Sequence, residues 1–158
     1  DNNYVADTLP STQNTAENNY FQVNSENTET QDKALVEFRQ FVEKLRKKDI
    51  NVIVVKDTLE PHTPDSIFPN NWVSFGADAR VILYPMFAPN RRDERRMDIL
   101  EQLKNEGFKI NEILDYSTYE AKNTFLEGTG SMIFDHDNKI AYGSVSLRLD
   151  FSVTSVKK

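Results

Sequence analysis

The sequence predicts an α/β fold made of a repeated unit of helix, strand, loop and hairpin. Two segments place apolar residues at helical spacing, each is followed by a short apolar run, and each run precedes a hairpin pattern. Equivalent positions of the two copies, such as Trp72 and Met132, lie 60 residues apart. Each unit has a one-sided helix and strands that need neighbours, so we expect part of a larger pseudosymmetric assembly. Chance agreement of common element lengths is the alternative explanation.

The first copy opens with an amphipathic helix from about Thr30. The basic residues 46–48 lie where positive charge favours a helix C-terminus. The β-branched run at 51–55 then predicts a strand buried on both faces, and residues 72–75 and 80–85 predict a hairpin. The expected apolar stripe of the helix is Ala34, Leu35, Phe38, Phe41, Val42 and Leu45.

The second copy is expected to begin with a helix capped by Asn90 and stopped by Gly107. Its apolar stripe would consist of Met97, Leu100 and Leu103. A strand at 108–114 and a hairpin formed by 131–134 and 140–143 complete the copy. Before both copies, residues 1–29 are polar and aperiodic, and they predict an irregular lead-in.

Composition restricts the classes of function. Hydrophobic residues make up 38% and charged residues 28% of the chain, which is typical of a folded globular domain. The net charge of -6 and the absence of a basic block argue against nucleic-acid binding. No apolar run approaches the roughly 20 residues that span a bilayer, so we expect no membrane partner and a cytoplasmic location. The chain has no cysteine, which excludes a thiolate nucleophile or thiolate zinc site within it.

A loop between the first strand and hairpin carries the first candidate site residues. Asp65, Asn70 and Asn71 offer acceptors and donors that suit a planar, nitrogen-rich group. The alternative is an Asx turn ended by Pro69, and the pattern alone favours that alternative.

The segment 125–131 carries the second candidate, Glu127, among glycines and small hydroxyl residues. This acid would orient a histidine or hold a proton, or it would simply accept backbone hydrogen bonds. The Arg-Arg-Asp-Glu-Arg-Arg run at 91–96 predicts a solvated face whose charges pair with one another. His62 and His136 lack the partners of a metal site, so no metal is expected.

Four segments together resemble the bacterial amidinotransferase-like citrulline-utilisation hydrolases. They are Thr-Ala-Glu-Asn-Asn-Tyr-Phe-Gln at 15–22, Pro-His-Thr-Pro-Asp-Ser-Ile-Phe-Pro-Asn-Asn-Trp at 61–72, Tyr-Pro-Met-Phe-Ala-Pro-Asn-Arg-Arg at 84–92 and Phe-Leu-Glu-Gly-Thr-Gly-Ser-Met at 125–132. The resemblance covers about residues 15–148. Residues 149–158 do not look like the family and are expected to form a divergent tail after a domain at 30–148.

This resemblance implies a pentein-type α/β propeller of pseudosymmetric ββαβ units, the fold shared by arginine deiminase, dimethylargininase and the amidinotransferases. The chain would hold about the first two to three of five blades. In that superfamily a cysteine thiolate attacks a guanidino or ureido carbon, a histidine moves protons and an acid orients the histidine. Glu127 is similar to that acid, although Thr129 and Gly130 depart from the usual motif.

The resemblance also implies the substrate-binding residues. Asp65 and Phe68 match the superfamily's substrate loop, and Arg148 matches an arginine that binds the substrate carboxylate. Asn70 and Asn71 match positions that are acidic in dimethylargininases. Neutral amides remove the charged clamp expected for a guanidinium, so they favour a ureido amino acid such as citrulline.

The sequence therefore predicts the N-terminal part of a hydrolase or amidinotransferase that acts on an arginine- or citrulline-like small molecule without a cofactor. The chain lacks the cysteine and the catalytic histidine, so we expect it to be inactive alone. The alternative is a non-catalytic binding module for a ligand or a protein. Incomplete sheets have unpaired edges, which predict self-association.

Overall fold

The structure is a computed structural model that describes residues 2–7, 28–58, 60–61, 63 and 65–155. It divides into two units, Asp1–Phe68 and Pro69–Lys158. Along the chain, the order of helix, strand and hairpin occurs twice among the described elements, as the repeat predicted. The predicted α/β class is confirmed.

The first unit contains a parallel pair of strands, β1 (Asn2–Asp7) and β2 (Asn51–Lys56). The helix α1 (Thr28–Arg46) belongs to the crossover that parallel strands require. Residues 1–29 were expected to form an irregular lead-in because the segment as a whole is polar, and that expectation is wrong for residues 2–7, which pair with β2 through the backbone. The rest of that lead-in, including the segment 15–22, lies outside the described residues.

The side chains of α1 and β2 follow the predicted patterns with one exception. Val52, Ile53 and Val55 are buried, and consecutive strand residues point to opposite faces, so β2 is buried on both faces as expected. In α1, Val42 is buried whereas Phe41 is exposed, which makes the apolar stripe narrower than the sequence suggested.

The second unit contains a three-stranded sheet. Its strands β3 (Val73–Phe75) and β4 (Arg80–Leu83) form the predicted hairpin, and β5 (Glu112–Asp115) pairs parallel to β4. The strand predicted at 108–114 is shorter and begins later than expected. It starts at Glu112, which pairs with Arg80 at the start of β4. A second predicted hairpin is also confirmed, with β6 (Met132–Asp135) antiparallel to β7 (Ile140–Gly143).

The helix predicted from Asn90 is in fact two elements. A 3-10 helix spans Pro89–Glu94, and α2 spans Met97–Asn105. Asn90 lies inside the 3-10 helix, so its predicted capping role is wrong. Gly107 has a φ of 94° just after α2, which confirms the predicted stop.

Side-chain contacts explain why the first turn is not α-helical. The arginines that surround it bind buried carboxylates and backbone carbonyls, and such tertiary contacts override local helix propensity. In α2, Leu100 and Leu103 are buried as predicted and Ile99 joins them, whereas Met97 is exposed.

A small apolar core lies beside α3 (Gly128–Ser131), a single helical turn. Leu149 and Val153 are buried in this core, and the Asp150 amide donates to the Phe125 carbonyl at 2.8 Å. The described part of the expected tail at 149–158 is thus integrated into the unit. The core consists of Tyr84, Leu126, Met132, Leu149 and Val153, with Ile82 and Tyr119 packed against it.

The β6–β7 hairpin is much less enclosed. Met132 is the only buried residue of its two strands. Ile133 and Tyr142 lie opposite each other in the ladder and are 72% and 57% exposed. Within the described ranges, no helix is long and apolar enough to cross a membrane.

Candidate active site

The loop that carries Asp65 and Phe68 belongs to the first unit. Asp65 is buried and Phe68 is exposed, and the Phe68 amide donates to the Asp65 carbonyl at 2.9 Å. Asp57 directly follows β2 and stabilises this loop. Its carboxylate accepts hydrogen bonds from Ser66 Oγ at 2.6 Å and from Thr63 Oγ1 at 3.1 Å. Asp57 was not among the predicted site residues, because it lies outside the 61–72 segment and only holds the loop in place.

Asn70 and Asn71 lie in a 3-10 turn, Pro69–Asn71, at the start of the second unit. Asn70 is exposed and Asn71 is buried, so the two predicted amides have different environments. The α3 turn packs directly on this segment. A Cβ added at Gly128 would overlap the Asn70 carbonyl, and one added at Gly130 would overlap the Asn71 amide. The glycines after Glu127 therefore allow close approach, as the sequence predicted.

Glu127 is fully buried immediately before α3. Its Oε1 accepts a hydrogen bond from the Phe87 amide at 3.1 Å, and its Oε2 lies 3.9 Å from Nη1 of Arg91 and 3.9 Å from Nη1 of Arg148. The Glu127 amide donates to the Arg148 carbonyl at 3.1 Å. Two of the predicted site residues, Glu127 and Arg148, are thereby held together through both backbone and side chain.

Arg91 is the main correction to the predicted site. The run at 91–96 was expected to form a solvated face, yet the side chains of Arg91 and Glu94 are only 2% and 0% exposed. The prediction that the charges pair with one another is right, since Arg91 Nη2 donates to Glu94 Oε2 at 2.9 Å. In a 3-10 helix, residues three apart eclipse one another, so Arg91 and Glu94 point inward on the same side.

Arg91 also contacts the Pro69–Asn71 turn. With its amide oxygen directed at Arg91, Asn71 accepts hydrogen bonds from Nη1 at 2.7 Å and from Nη2 at 3.1 Å. The cluster then contains three buried charged residues, Arg91, Glu94 and Glu127, together with Arg148, whose side chain is 21% exposed. The formal charges balance, which is the condition under which ionised groups are retained inside proteins.

A second set of charged contacts braces the segment that connects β4 to the 3-10 helix. Glu120 accepts from the Met86 amide and from Arg95 Nη1, both at 2.8 Å. Arg95 also donates to the Tyr84 carbonyl, and Arg92 donates to the Met86 carbonyl. These contacts hold residues 84–86, which follow β4. The amide of the next residue, Phe87, donates to Glu127.

Tyr84 directly follows β4. It is buried, and its hydroxyl lies 2.8 Å from Ser74 Oγ. The burial raises the pKa of Tyr84 above the usual 10.0, and the hydrogen bond with Ser74 opposes that shift more weakly.

We expect the raised pKa of Tyr84 to make folding pH-dependent in alkali. The neutral phenol is favoured in the folded state, so its contribution is complete below the unfolded pKa of 10.0 and is lost as pH rises through the higher folded pKa. Ultraviolet titration of phenolate should show one tyrosine ionising last, and Tyr84→Phe should remove that phase. An unchanged titration curve in Tyr84→Phe would contradict the assignment.

No three acidic, histidine or cysteine side chains of the described part of the chain lie close enough to bind a metal ion together. His136 lies in the turn of the second hairpin, and His62 lies outside the described residues.

Comparisons with known proteins extend these observations. The model of the family described as N,N dimethylarginine dimethylhydrolase, eukaryotic, matches residues 5–157. The match includes most of the segment 149–158, so the expectation that this tail diverges from the family is wrong. No curated protein sequence matches the chain.

Solved structures show the same fold at low sequence identity. A dimethylarginine dimethylaminohydrolase variant, in an adduct with S-methyl-L-thiocitrulline, is 16% identical, with a TM-score of 0.63 over 95% of this chain and 53% of the other. The substrate-bound N-terminal domain of ArgZ, an arginine dihydrolase from the ornithine-ammonia cycle in cyanobacteria, is 17% identical, with a TM-score of 0.61 over 94% and 51%.

A third structure, AgrE in a ternary complex with ornithine and NAD+, is 16% identical, with a TM-score of 0.60 over 90% of this chain and 20% of AgrE. The chain thus spans about half or less of the proteins whose fold it shares. The predicted pentein-type fold and the resemblance to the guanidino-modifying superfamily are confirmed by the family match and these structures.

Proposed function

Because the chain belongs to the family of eukaryotic-type N,N dimethylarginine dimethylhydrolases, we propose that it forms the part of a guanidino-group hydrolase that carries the catalytic acid. That acid is Glu127. The observation that carries this proposal is the enclosure of the Glu127 carboxylate between the guanidinium groups of Arg91 and Arg148. The proposed substrate contacts are Asp65, Phe68, Asn70, Asn71 and Arg148.

The proposed reaction needs groups from outside these 158 residues. A thiolate adds to the central carbon of a guanidino or ureido group, the leaving nitrogen departs as an amine after taking a proton, and water then cleaves the carbon–sulfur bond. A histidine transfers the protons, and Glu127 orients that histidine. With no cysteine in the chain, a polypeptide of these residues alone is inactive. The reaction requires no metal or organic cofactor.

A neutral ureido group suits this site better than a guanidinium. Asn70 and Asn71 supply amides rather than carboxylates, and Asn71 directs its oxygen to Arg91. Arg91 and Arg148 already place two positive charges 3.9 Å from Glu127. Glu94 and Glu127 balance these charges, so the cluster holds no surplus negative charge for a guanidinium, whereas the carbonyl oxygen of citrulline accepts hydrogen bonds from neutral amide donors.

Ligand titrations of the 158-residue chain test the proposal. Trp72, the single tryptophan, follows Asn71 directly, so its fluorescence reports on the site. We expect citrulline to bind about tenfold more tightly than arginine, the ratio that one well-made hydrogen bond supports. Neither ligand should release ammonia.

Each other result of these titrations has a defined meaning. Equal or tighter binding of arginine would reject a ureido substrate. Absence of citrulline binding by the folded chain would reject the five proposed substrate contacts. Ammonia release would show that the nucleophile lies within these residues after all.

A further inference from the structure

Residues 84–87 leave the sheet directly after β4, in a largely buried segment without regular structure. Pro85 has no amide with which to continue the ladder, so the strand ends there. Met86 is fully buried and Tyr84 nearly so, which keeps water from their main-chain groups. Buried main-chain groups need protein partners, and those partners determine the course of the segment.

Glu120 is the centre of the charged side chains that supply these partners. It lies on the 3-10 helix Ser117–Lys122, and its Oε1 accepts from the Met86 amide at 2.8 Å. The same carboxylate binds Arg95 through two nitrogens, with Nη1–Oε1 at 2.8 Å and Nη2–Oε2 at 3.2 Å. Arg92 approaches it as well, with Nε 3.5 Å from Oε2. One carboxylate therefore holds a main-chain amide and two arginines.

The two arginines extend this hold to the carbonyls of the segment. Arg95 donates to the Tyr84 carbonyl at 3.1 Å. Arg92 donates to the Met86 carbonyl at 3.1 Å and to the Phe87 carbonyl at 3.3 Å. A carboxylate that only neutralised two arginines would not need these main-chain contacts, so the cluster specifically fixes the backbone of residues 84–87.

The Phe87 amide connects this segment to the proposed catalytic acid. It donates to Glu127 Oε1 at 3.1 Å, in a hydrogen bond that depends on direction. The two nearby guanidinium groups lie 3.9 Å from Oε2, where they act through charge rather than through hydrogen-bond direction. We infer that Glu120 is a positioning residue, which sets the orientation of the Glu127 carboxylate through residues 84–87.

A purely structural brace is the competing explanation. If Glu120 only stabilises the fold, its replacement loosens the sheet and the segment to the same extent. A positioning role instead predicts a change that is larger at Phe87 and at Glu127 than in the sheet. Glu120→Gln separates the two roles, because glutamine keeps the shape and one acceptor oxygen but loses the charge that holds Arg92 and Arg95.

Two NMR readouts on the 158-residue chain test the inference without a ligand. The first is hydrogen exchange of the Phe87 amide relative to the Tyr84 amide, which donates to the Trp72 carbonyl at 2.9 Å and reports on the sheet. We expect Glu120→Gln to accelerate exchange of the Phe87 amide about tenfold and that of the Tyr84 amide less than about twofold. The second is the signal of the Glu127 side-chain carboxyl carbon, which should be displaced in the same variant.

Two control variants calibrate these readouts. Arg96→Gln also removes a charge from a nearby ion pair, but the partner, Asp98, has a side chain that is 64% exposed. This variant should change neither readout. Leu103→Ala removes a buried side chain of α2 and so lowers the stability of the second unit. It should not accelerate the Phe87 amide selectively, and the carboxyl signal should stay in place.

Several results would overturn the inference. If the Phe87 amide in Glu120→Gln accelerates no more than the Tyr84 amide, Glu120 only stabilises. An unchanged Glu127 carboxyl signal would show that the segment does not orient the acid. If Glu120→Gln does not fold, Arg95→Lys decides by the same two readouts, because lysine keeps the charge but cannot bind the carboxylate through two nitrogens. Failure of both variants to fold would assign Glu120 a structural role.

The inference rests on the proposed function only in naming Glu127 as the catalytic acid. Failure of citrulline to bind, combined with altered Phe87 and Glu127 signals in Glu120→Gln, would reject the function and not the positioning. Citrulline binding to the parent, combined with unaltered signals in Glu120→Gln, would reject the positioning and not the function.

Discussion

Replacement of Glu94 by alanine is expected to lower the free energy of unfolding by about 3 kcal/mol. The variant removes the bidentate partner of Arg91 and leaves its guanidinium in a site where the side chain is 2% exposed. Breaking a buried pair in this way costs about 3–5 kcal/mol, and the nearby Glu127 places the expected loss at the lower end of that range. Urea unfolding followed by Trp72 fluorescence measures the change in the second unit.

Glu101→Ala is the matched control for this prediction. Glu101 also pairs with a cation three residues later, Lys104 at 2.9 Å, but its side chain is 67% exposed. Exposed pairs of this kind contribute at most about 0.5 kcal/mol, so the control should unfold close to the parent. Similar losses in Glu94→Ala and Glu101→Ala would mean that burial does not determine the strength of the Arg91–Glu94 pair.

Gly128→Ala is expected to be the second most damaging single change. The added Cβ would overlap the backbone carbonyl of Asn70 and crowd the Tyr84 ring at 3.1 Å. Alanine gains at most about 1 kcal/mol from the reduced entropy of the unfolded chain, whereas overpacking against backbone costs about 3 kcal/mol. A net loss of about 2 kcal/mol should therefore appear in the same urea experiment.

Gly130→Ala distinguishes steric conflict with backbone from conflict with a side chain. The Cβ at this position meets the Asn71 amide, which can rotate away, while the residue itself is exposed. We expect a loss below about 1 kcal/mol together with displaced Asn71 amide signals. A larger loss of stability from Gly130→Ala than from Gly128→Ala would refute the assigned packing of α3 on the Pro69–Asn71 turn.

The sequence predicted those elements whose local signals agree with their tertiary contacts. Each hairpin has two short, mainly apolar runs separated by a turn of four residues, and α1 has apolar residues at helical spacing. Strand β1 was not predicted, because its three apolar residues, Tyr4, Val5 and Ala6, are too short a run to indicate a strand within a polar segment, and its pairing partner β2 lies more than forty residues along the chain. The split between the Pro89–Glu94 helix and α2 depends on carboxylates far along the chain, such as Glu120, which local propensity does not contain.

The candidate site shows the same limit. Motif resemblance identified Glu127 and Arg148, and the structure brings these two together. The pairing of charges in the 91–96 run was predicted correctly, but Arg91 and Glu94 were expected at the surface, because an α-helical period distributes six consecutive charged residues around the helix. The eclipsed geometry of a 3-10 turn instead directs both inward. Self-association and the roles of Asp65, Phe68, Asn70, Asn71, Glu127 and Arg148 remain predictions.

The sparse enclosure of the β6–β7 hairpin has a consequence for local stability. A two-stranded ribbon is marginally stable without further packing, so its amides exchange with solvent through small openings that leave the β3–β4–β5 sheet closed. Amide protons of the larger sheet should exchange only through more extensive unfolding. Substitutions at Ile133 or Tyr142 therefore alter the frequency of the small openings while leaving the buried charges around Arg91 undisturbed.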